Sequence, residues 1–205
     1  MTLYELMNKT KCAVIAVDIQ NDYCHPEGAC AKRGCDVSGA PLIIPHVNKL
    51  IDTAHKNDIP VIFIQTIHTD ETDSKSWSGR NDGKSKGTVC RPGTWGMKFY
   101  EVSPSENDII VNKHRYSAFI HTRLESVLHT LNVETIIVCG VATNVCVEST
   151  ARDGYMLDYN VILVSDCCAA FSSKAHDMTL ENISQNFGTV AKEMEIEDSL
   201  LVAAV

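Results

Sequence analysis

The stretch "VCGVATNVCVESTARDG", Val138–Gly154, decides how this chain is read. It passes from apolar residues, through a small turn containing Gly and Thr, into residues with helical spacing, and it carries Cys139 and Cys146. Cys139 closes the apolar run "VETIIVCG" (Val133–Gly140), which reads as a strand buried on both faces. Cys146 falls in the first turn of a helix expected over "NVCVESTARDGYMLDY", with Thr143 or Asn144 as its N-cap. A thiol at that point meets free backbone N–H groups and the positive end of a helix dipole, and both favour the thiolate.

Working outward, the same hand-over from strand to helix recurs. "CAVIAVD" (Cys12–Asp18), "IPVIFIQTI" (Ile59–Ile67), "DIIVNK" (Asp108–Lys113) and "NVILVSD" (Asn160–Asp166) read as strands, and "TVA" (Thr189–Ala191) as a short sixth. Helices are expected from near Pro45 through "HVNKLIDTAHKND", over "TRLESVLHTLN", and over "SSKAHDMTLENISQNFG", closed by Gly188. The acidic and then apolar tail "EMEIEDSLLVAAV" reads as a short docked helix. Between His68 and Asn107 no period is sustained, and a loop of that length in a compact domain is usually functional. Alternating strands and helices imply a three-layer α/β/α domain over residues 1–205, with a mostly parallel six-stranded sheet and helices on both faces.

The composition narrows the function classes. With 18 basic and 26 acidic residues the formal charge is −8, which argues against a nucleic-acid partner. No apolar run approaches a membrane span, and "MTLYELMNKTKC" lacks the apolar core of a secretory signal, so a cytoplasmic location is expected. Nine cysteines, an odd number, argue against a disulfide framework. Cys24, His25, Cys30 and Cys35 do not have the spacing of a compact zinc knuckle, and Cys167 and Cys168 read as packing at a strand end. No Gly-rich nucleotide loop follows the first strand.

In such sheets ligands bind beyond the carboxyl ends of the strands. Asp18, Lys113 and Cys146 all fall there. Together they make an acyl-transfer set: a thiol nucleophile, a carboxylate to take its proton and return it to a leaving amine, and a cation. The turn Gly140–Thr143 can aim N–H groups at an oxyanion. Each residue also has an ordinary structural reading: a packed cysteine, a carboxylate that caps a helix, a solvated lysine. Spacing does not show that the three meet.

"AVDIQNDY" (Ala16–Tyr23), "VNKHRYSAF" (Val111–Phe119) and "GVATNVCVESTARDG" (Gly140–Gly154) resemble, in order, the three signature blocks of the isochorismatase-like cysteine hydrolases. The resemblance covers nearly the whole chain. It implies the parallel six-stranded fold, an Asp18–Lys113–Cys146 triad, a cis peptide between Val141 and Ala142, and an oxyanion hole from the N–H groups of Ala142 and Cys146. It also implies a homotetramer or homodimer.

Within that family the chain is most similar to the ureidoacrylate, biuret and N-carbamoylsarcosine amidohydrolases. The reaction implied is cleavage of a C–N bond in a small ureido, carbamoyl or amide compound through an acyl-enzyme. Tyr23, Trp95, Tyr116, Phe119, Asn144 and Gln185 are the expected substrate-binding residues. Nicotinamidases carry an Asp-x-His…His metal site after the second strand; here "QTIHTDETD" has only His68, so neither metal nor cofactor is expected. An isochorismatase-type or nicotinamidase-type hydrolase and a non-catalytic thiol- or metal-binding protein are the alternatives.

Overall fold

The computed structural model describes residues 1–79 and 88–201. Six parallel strands form one sheet in the order β3-β2-β1-β4-β5-β6. They are β1 (Cys12–Val17), β2 (Val61–Thr66), β3 (Ile109–Lys113), β4 (Thr135–Val141), β5 (Asn160–Ala169) and β6 (Thr189–Ala191). Helices α1 (Leu3–Lys9), α2 (Asn21–Cys24), α3 (Ala29–Lys32), α4 (Ala40–Lys56), α5 (Lys75–Gly79), α6 (Leu124–Thr130), α7 (Glu148–Met156), α8 (Ser173–Asn186) and α9 (Glu193–Leu201) complete the three layers. Helix α4 packs with α9, and α9 with α1, on one side of the sheet; α7 and α8 pack together on the other.

The central strands are apolar throughout because both of their faces are covered. Every residue of β1 and of β4 is buried. The strand order reverses between β1 and β4, so their connections leave in opposite directions and open a crevice at the carboxyl ends. The crevice is narrow. Gly140 has φ +119°, and a Cβ there would stand 2.0 Å from the Val17 carbonyl oxygen. At the far end of the same motif, a Cβ on Gly154 would stand 2.4 Å from Ile136 Cδ1, so this glycine sets how closely α7 lies on β4.

Three expectations about elements change. Helix α4 begins at Ala40 rather than near Pro45, which lies inside it. Pro41 occupies the first turn, where a missing N–H is harmless, and the buried stripe Ile43, Ile44, Val47, Leu50 and Ile51 holds the helix across Pro45 on the exposed side. Strand β5 runs three residues past Asp166, to Ala169, so Cys167 and Cys168 are buried strand residues rather than a strand end. The segment after Ala142 enters α7 through a π-type turn, Thr143–Val147. Neither Thr143 nor Asn144 caps that turn, which Ala142 precedes with no side-chain cap bond. Within the long loop, α5 and a 3-10 turn at Trp95–Met97 are described.

Gly140→Ala combines a left-handed φ with a backbone collision. It is expected to cost at least about 3 kcal/mol, read from the midpoint of urea denaturation, whereas Ala at the exposed, left-handed Gly93, which meets nothing within 4 Å, is expected to cost about 1 kcal/mol.

Candidate active site

Asp18 is the first residue past β1, and its φ of +52° turns the chain sharply at the strand end. Asp tolerates this region better than most residues. Lys113 ends β3, two strands away, a gap of about 10 Å that a lysine stem can cross and a short side chain cannot. The register carries Lys113 opposite Thr66, beyond the level at which Val17 pairs with Ile64, so its ammonium reaches back over β2. Lys113 Nζ lies 2.7 Å from Asp18 Oδ2 and donates to Cys146 Sγ at 3.5 Å and to the Arg115 carbonyl at 2.9 Å. Relative exposures are 0% for Asp18, 1% for Lys113 and 7% for Cys146. Three residues far apart in sequence therefore form one buried cluster.

The second oxygen of Asp18 is fixed by Thr66, whose hydroxyl donates to Oδ1 at 2.9 Å. Oδ2 has the lysine charge beside it but no aligned hydrogen-bond donor among the described residues. That leaves a lone pair free to take a proton. Burial works against the charge on Lys113, but Asp18 and then Cys146 outweigh it, and the pKa of Lys113 is raised.

The cysteine departs from expectation. Burial raises the pKa of Cys146, the Lys113 charge opposes this, and the Asp18 carboxylate adds to the rise. The raised pKa favours the protonated form of Cys146. The sulfur is buried on a π-type turn near the Asp18 carboxylate, and burial is the largest cause of the rise. The Val141–Ala142 peptide is cis, and the Ala142 carbonyl receives the N–H groups of Val145 at 3.0 Å and Val147 at 3.3 Å, on either side of Cys146. Thr143 faces away from capping and pairs with His176 Nδ1 at 2.9 Å.

The expected substrate residues divide. Tyr23 lies near the triad: burial raises its phenol, and Cys90, Asp18 and Cys146 push it the same way. Tyr116 stands 4.8 Å from the ring of Trp77, one residue after the carbonyl that holds Lys113. Trp95 is 46% exposed and stands edge-on to His25, an outer position. Asn144 is exposed on the π-type turn. Two expectations are corrected. Phe119 is a core residue stacked on Tyr159, next to Gly154, because α7 and β5 close over it. Gln185 is exposed near the end of α8, bonded to Glu181. Since α8 runs back from β5 to the start of β6, Gln185 lies at the opposite edge of the sheet from the triad.

Other residues complete the site without having been expected. Gln20 binds Thr66 through both ends of its amide, giving Nε2 to the carbonyl at 3.0 Å and taking the N–H at 2.8 Å, and it also donates to the Met97 carbonyl at 2.8 Å. Asp22 accepts the Cys90 N–H at 2.6 Å and the Ala29 N–H at 3.0 Å. A Cβ on Gly96 would stand 2.1 Å from Asp22 Oδ2, so only glycine lets the loop lie on that carboxylate. Asn21 donates to the Trp95 carbonyl at 2.9 Å. The polar residues just after Asp18 thus tie the long loop down beside the site. The motif "AVDIQNDY" contains three of these residues; nothing in the sequence marks Thr66.

An isochorismatase domain profile matches residues 12–194, which include all of these groups. The chain belongs to the isochorismatase family. Among family relatives, the ureidoacrylate amidohydrolase RutB of Methylobacterium radiotolerans is 32% identical over 202 residues, spanning 91% of this chain and 78% of that protein. RutB of Agrobacterium fabrum is 31% identical over 200 residues, spanning 90% and 88%. A cysteine hydrolase from Pseudomonas syringae pv. phaseolicola superposes with a TM-score of 0.84 at 29% identity, covering 99% of this chain and 95% of that one. Among the described residues no helix is long and apolar enough to cross a membrane.

Removing one partner of the buried Asp18–Lys113 pair leaves the other charge without its counter-ion. Asp18→Asn and Lys113→Met are each expected to cost about 3–5 kcal/mol, and the double variant less than the sum, measured by chemical denaturation in a double-mutant cycle. A raised lysine pKa gives stability that is whole below the unfolded value of 10.5 and lost as pH rises through the folded value. Wild-type stability is therefore expected to fall at alkaline pH above about 10.5, and less steeply in the double variant.

Proposed function

We propose that this protein is a cysteine amidohydrolase that cleaves a C–N bond of a small ureido, carbamoyl or amide compound through a thioester-type intermediate on Cys146. The observation that carries the reading is the ammonium of Lys113, 2.7 Å from Asp18 and 3.5 Å from the Cys146 sulfur. The similarity to proteins named ureidoacrylate amidohydrolase supports the ureido class.

In the first half-reaction Asp18 Oδ2 takes the thiol proton as Sγ bonds to the substrate carbonyl carbon. The N–H groups of Ala142 and Cys146 receive the oxyanion. As the C–N bond breaks, Asp18 returns the proton to the departing nitrogen, which leaves as ammonia or an amine. In the second half Asp18 takes a proton from water, the hydroxide adds to the thioester carbonyl, and the C–S bond breaks. The proton held by Asp18 goes back to sulfur. Lys113 keeps its proton throughout. It holds the carboxylate in place, and Thr66 fixes the other oxygen so that Oδ2 faces the chemistry.

Ammonia release from ureidoacrylate, biuret, N-carbamoyl amino acids, nicotinamide and simple amides tests the substrate class, with the ureido compounds expected to lead. Cys146→Ser and Asp18→Asn are each expected to lose at least about 10³-fold in kcat/KM, and a rapidly quenched wild-type reaction should show an acyl adduct on Cys146 by intact mass. A Cys146→Ser enzyme that keeps more than about a tenth of the wild-type rate excludes the covalent route.

A further inference from the structure

A second group of polar side chains stands on the same rim and is not used by the triad. His68 follows β2 and lies between the strands that carry Asp18 and Lys113. On one side Thr66 Oγ1 reaches Asp18; on the other the Ile67 N–H donates to the Lys113 carbonyl at 3.0 Å. The imidazole lies 5.4 Å from the ring of Trp77, Trp77 lies 4.8 Å from Tyr116, and the preceding residue, Arg115, holds Lys113 Nζ. These contacts link Asp18, Thr66, His68, Trp77, Tyr116 and Lys113 into one neighbourhood.

The backbone of His68 is satisfied at both ends, by the Cys90 carbonyl at 3.1 Å and by Arg91 Nη1 at 2.9 Å. Its side chain is not. The residue is 7% exposed, yet Nδ1 has no hydrogen-bond partner among the described residues, and the nearest carboxylate, Asp73 Oδ1, is 3.8 Å away. That carboxylate favours the tautomer with hydrogen on Nδ1. Arg91 Nε, on the residue that grips the His68 carbonyl, is a second buried donor with no partner, while Arg91 Nη2 pairs with Asp73. Burial lowers the His68 pKa to about 4; Asp73 opposes this, and Lys113 and Arg91 reinforce it, so the ring is neutral in ordinary buffer. Two buried donors without aligned acceptors, on residues joined by a hydrogen bond, are costly to keep.

From this geometry we infer that His68 Nδ1–H, aided by Arg91, which holds the His68 carbonyl and has an unpartnered Nε–H, receives a second acceptor oxygen of the substrate, a carbonyl or carboxylate beyond the scissile carbonyl. The inference rests on the amidohydrolase reading above and sharpens it. Preferred substrates are then acylureas and ureido acids, not simple amides, and His68 is the residue that separates them. Asp73, already paired with Arg91, offsets one cation there, so a neutral carbonyl oxygen is as acceptable in charge as a carboxylate.

Two measurements test this with His68→Phe, which keeps an aromatic ring for Trp77, and His68→Asn, which keeps an N–H near the Nδ1 position. The first is alkylation of Cys146 by bromoacetylurea and by bromoacetamide, each rate divided by that for glutathione. In this reaction an Sγ–C bond forms, bromide leaves and Asp18 takes the thiol proton. The wild-type protein is expected to prefer the acylurea by at least about tenfold, His68→Phe to lose the preference, and His68→Asn to keep most of it. The second is kcat/KM for biuret and N-carbamoylglycine against n-propylurea, where His68→Phe should fall at least about tenfold on the first two alone. Biuret and N-carbamoylglycine separate the carbonyl from the carboxylate. Equal labelling preference in wild type and in a His68→Phe variant that melts like it overturns the inference. No turnover of any substrate by wild type would instead remove the amidohydrolase reading, and the labelling preference would still decide the role of His68.

Discussion

The structure depends on one buried ion pair. An ammonium and a carboxylate, both almost fully removed from water, face each other across 2.7 Å beneath the carboxyl ends of the central strands. Neither would remain charged there alone. The pair persists because each polar atom has been given something to do. The lysine also binds the Arg115 carbonyl and faces the sulfur, and one carboxylate oxygen is held by Thr66. The other carboxylate oxygen, Oδ2, faces the lysine charge and has no aligned hydrogen-bond donor among the described residues.

The same pair explains why the cysteine need not be a standing thiolate. A third charge in so small and dry a space would have to be balanced by a single lysine already engaged with Asp18. Burial first, and then the Asp18 carboxylate against the opposing lysine charge, push the Cys146 thiol up and favour its protonated form. This differs from a cysteine activated at an open helix end, where dipole and solvent hold the thiolate in advance. In the proposed mechanism the thiolate forms only as Asp18 takes its proton. The arrangement also protects the sulfur, since a buried thiol is a poor target for adventitious oxidation.

Around this pair the protein builds walls from polar residues that look unremarkable one at a time. Gln20, Asn21 and Asp22 leave β1 in succession, and each ties a different part of the long loop: Met97, Trp95 and Cys90. The loop's backbone donors and acceptors are thereby satisfied by side chains that the strand itself delivers. Gly96 is the matching concession on the loop side. On the opposite wall, Arg91 and Asp73 clasp the turn that presents His68, and Trp77 fills the gap to Tyr116.

The sequence by itself determined the six strands, their parallel order of hand-over to helices, and the rim on which Asp18, Lys113 and Cys146 would lie. These are consequences of local pattern: apolar runs too continuous for a solvated sheet, and polar residues where those runs stop. It was less informative about local irregularity. The π-type turn under Cys146 and the proline carried inside α4 answer to packing, not to propensity. Phe119 and Gln185 show the same limit for function. Each was a chemically reasonable substrate contact, and only the closing of α7 over one and the direction of α8 under the other decided their places. Thr66 carried no signal, and His68 drew notice only as the lone histidine after the second strand, because what distinguishes both is a neighbour from another part of the chain. The tertiary structure alone decided the direction in which the thiol pKa moves and which donors lack acceptors, since both depend on how much water and which charges surround an atom, and that is set by residues far away in the chain.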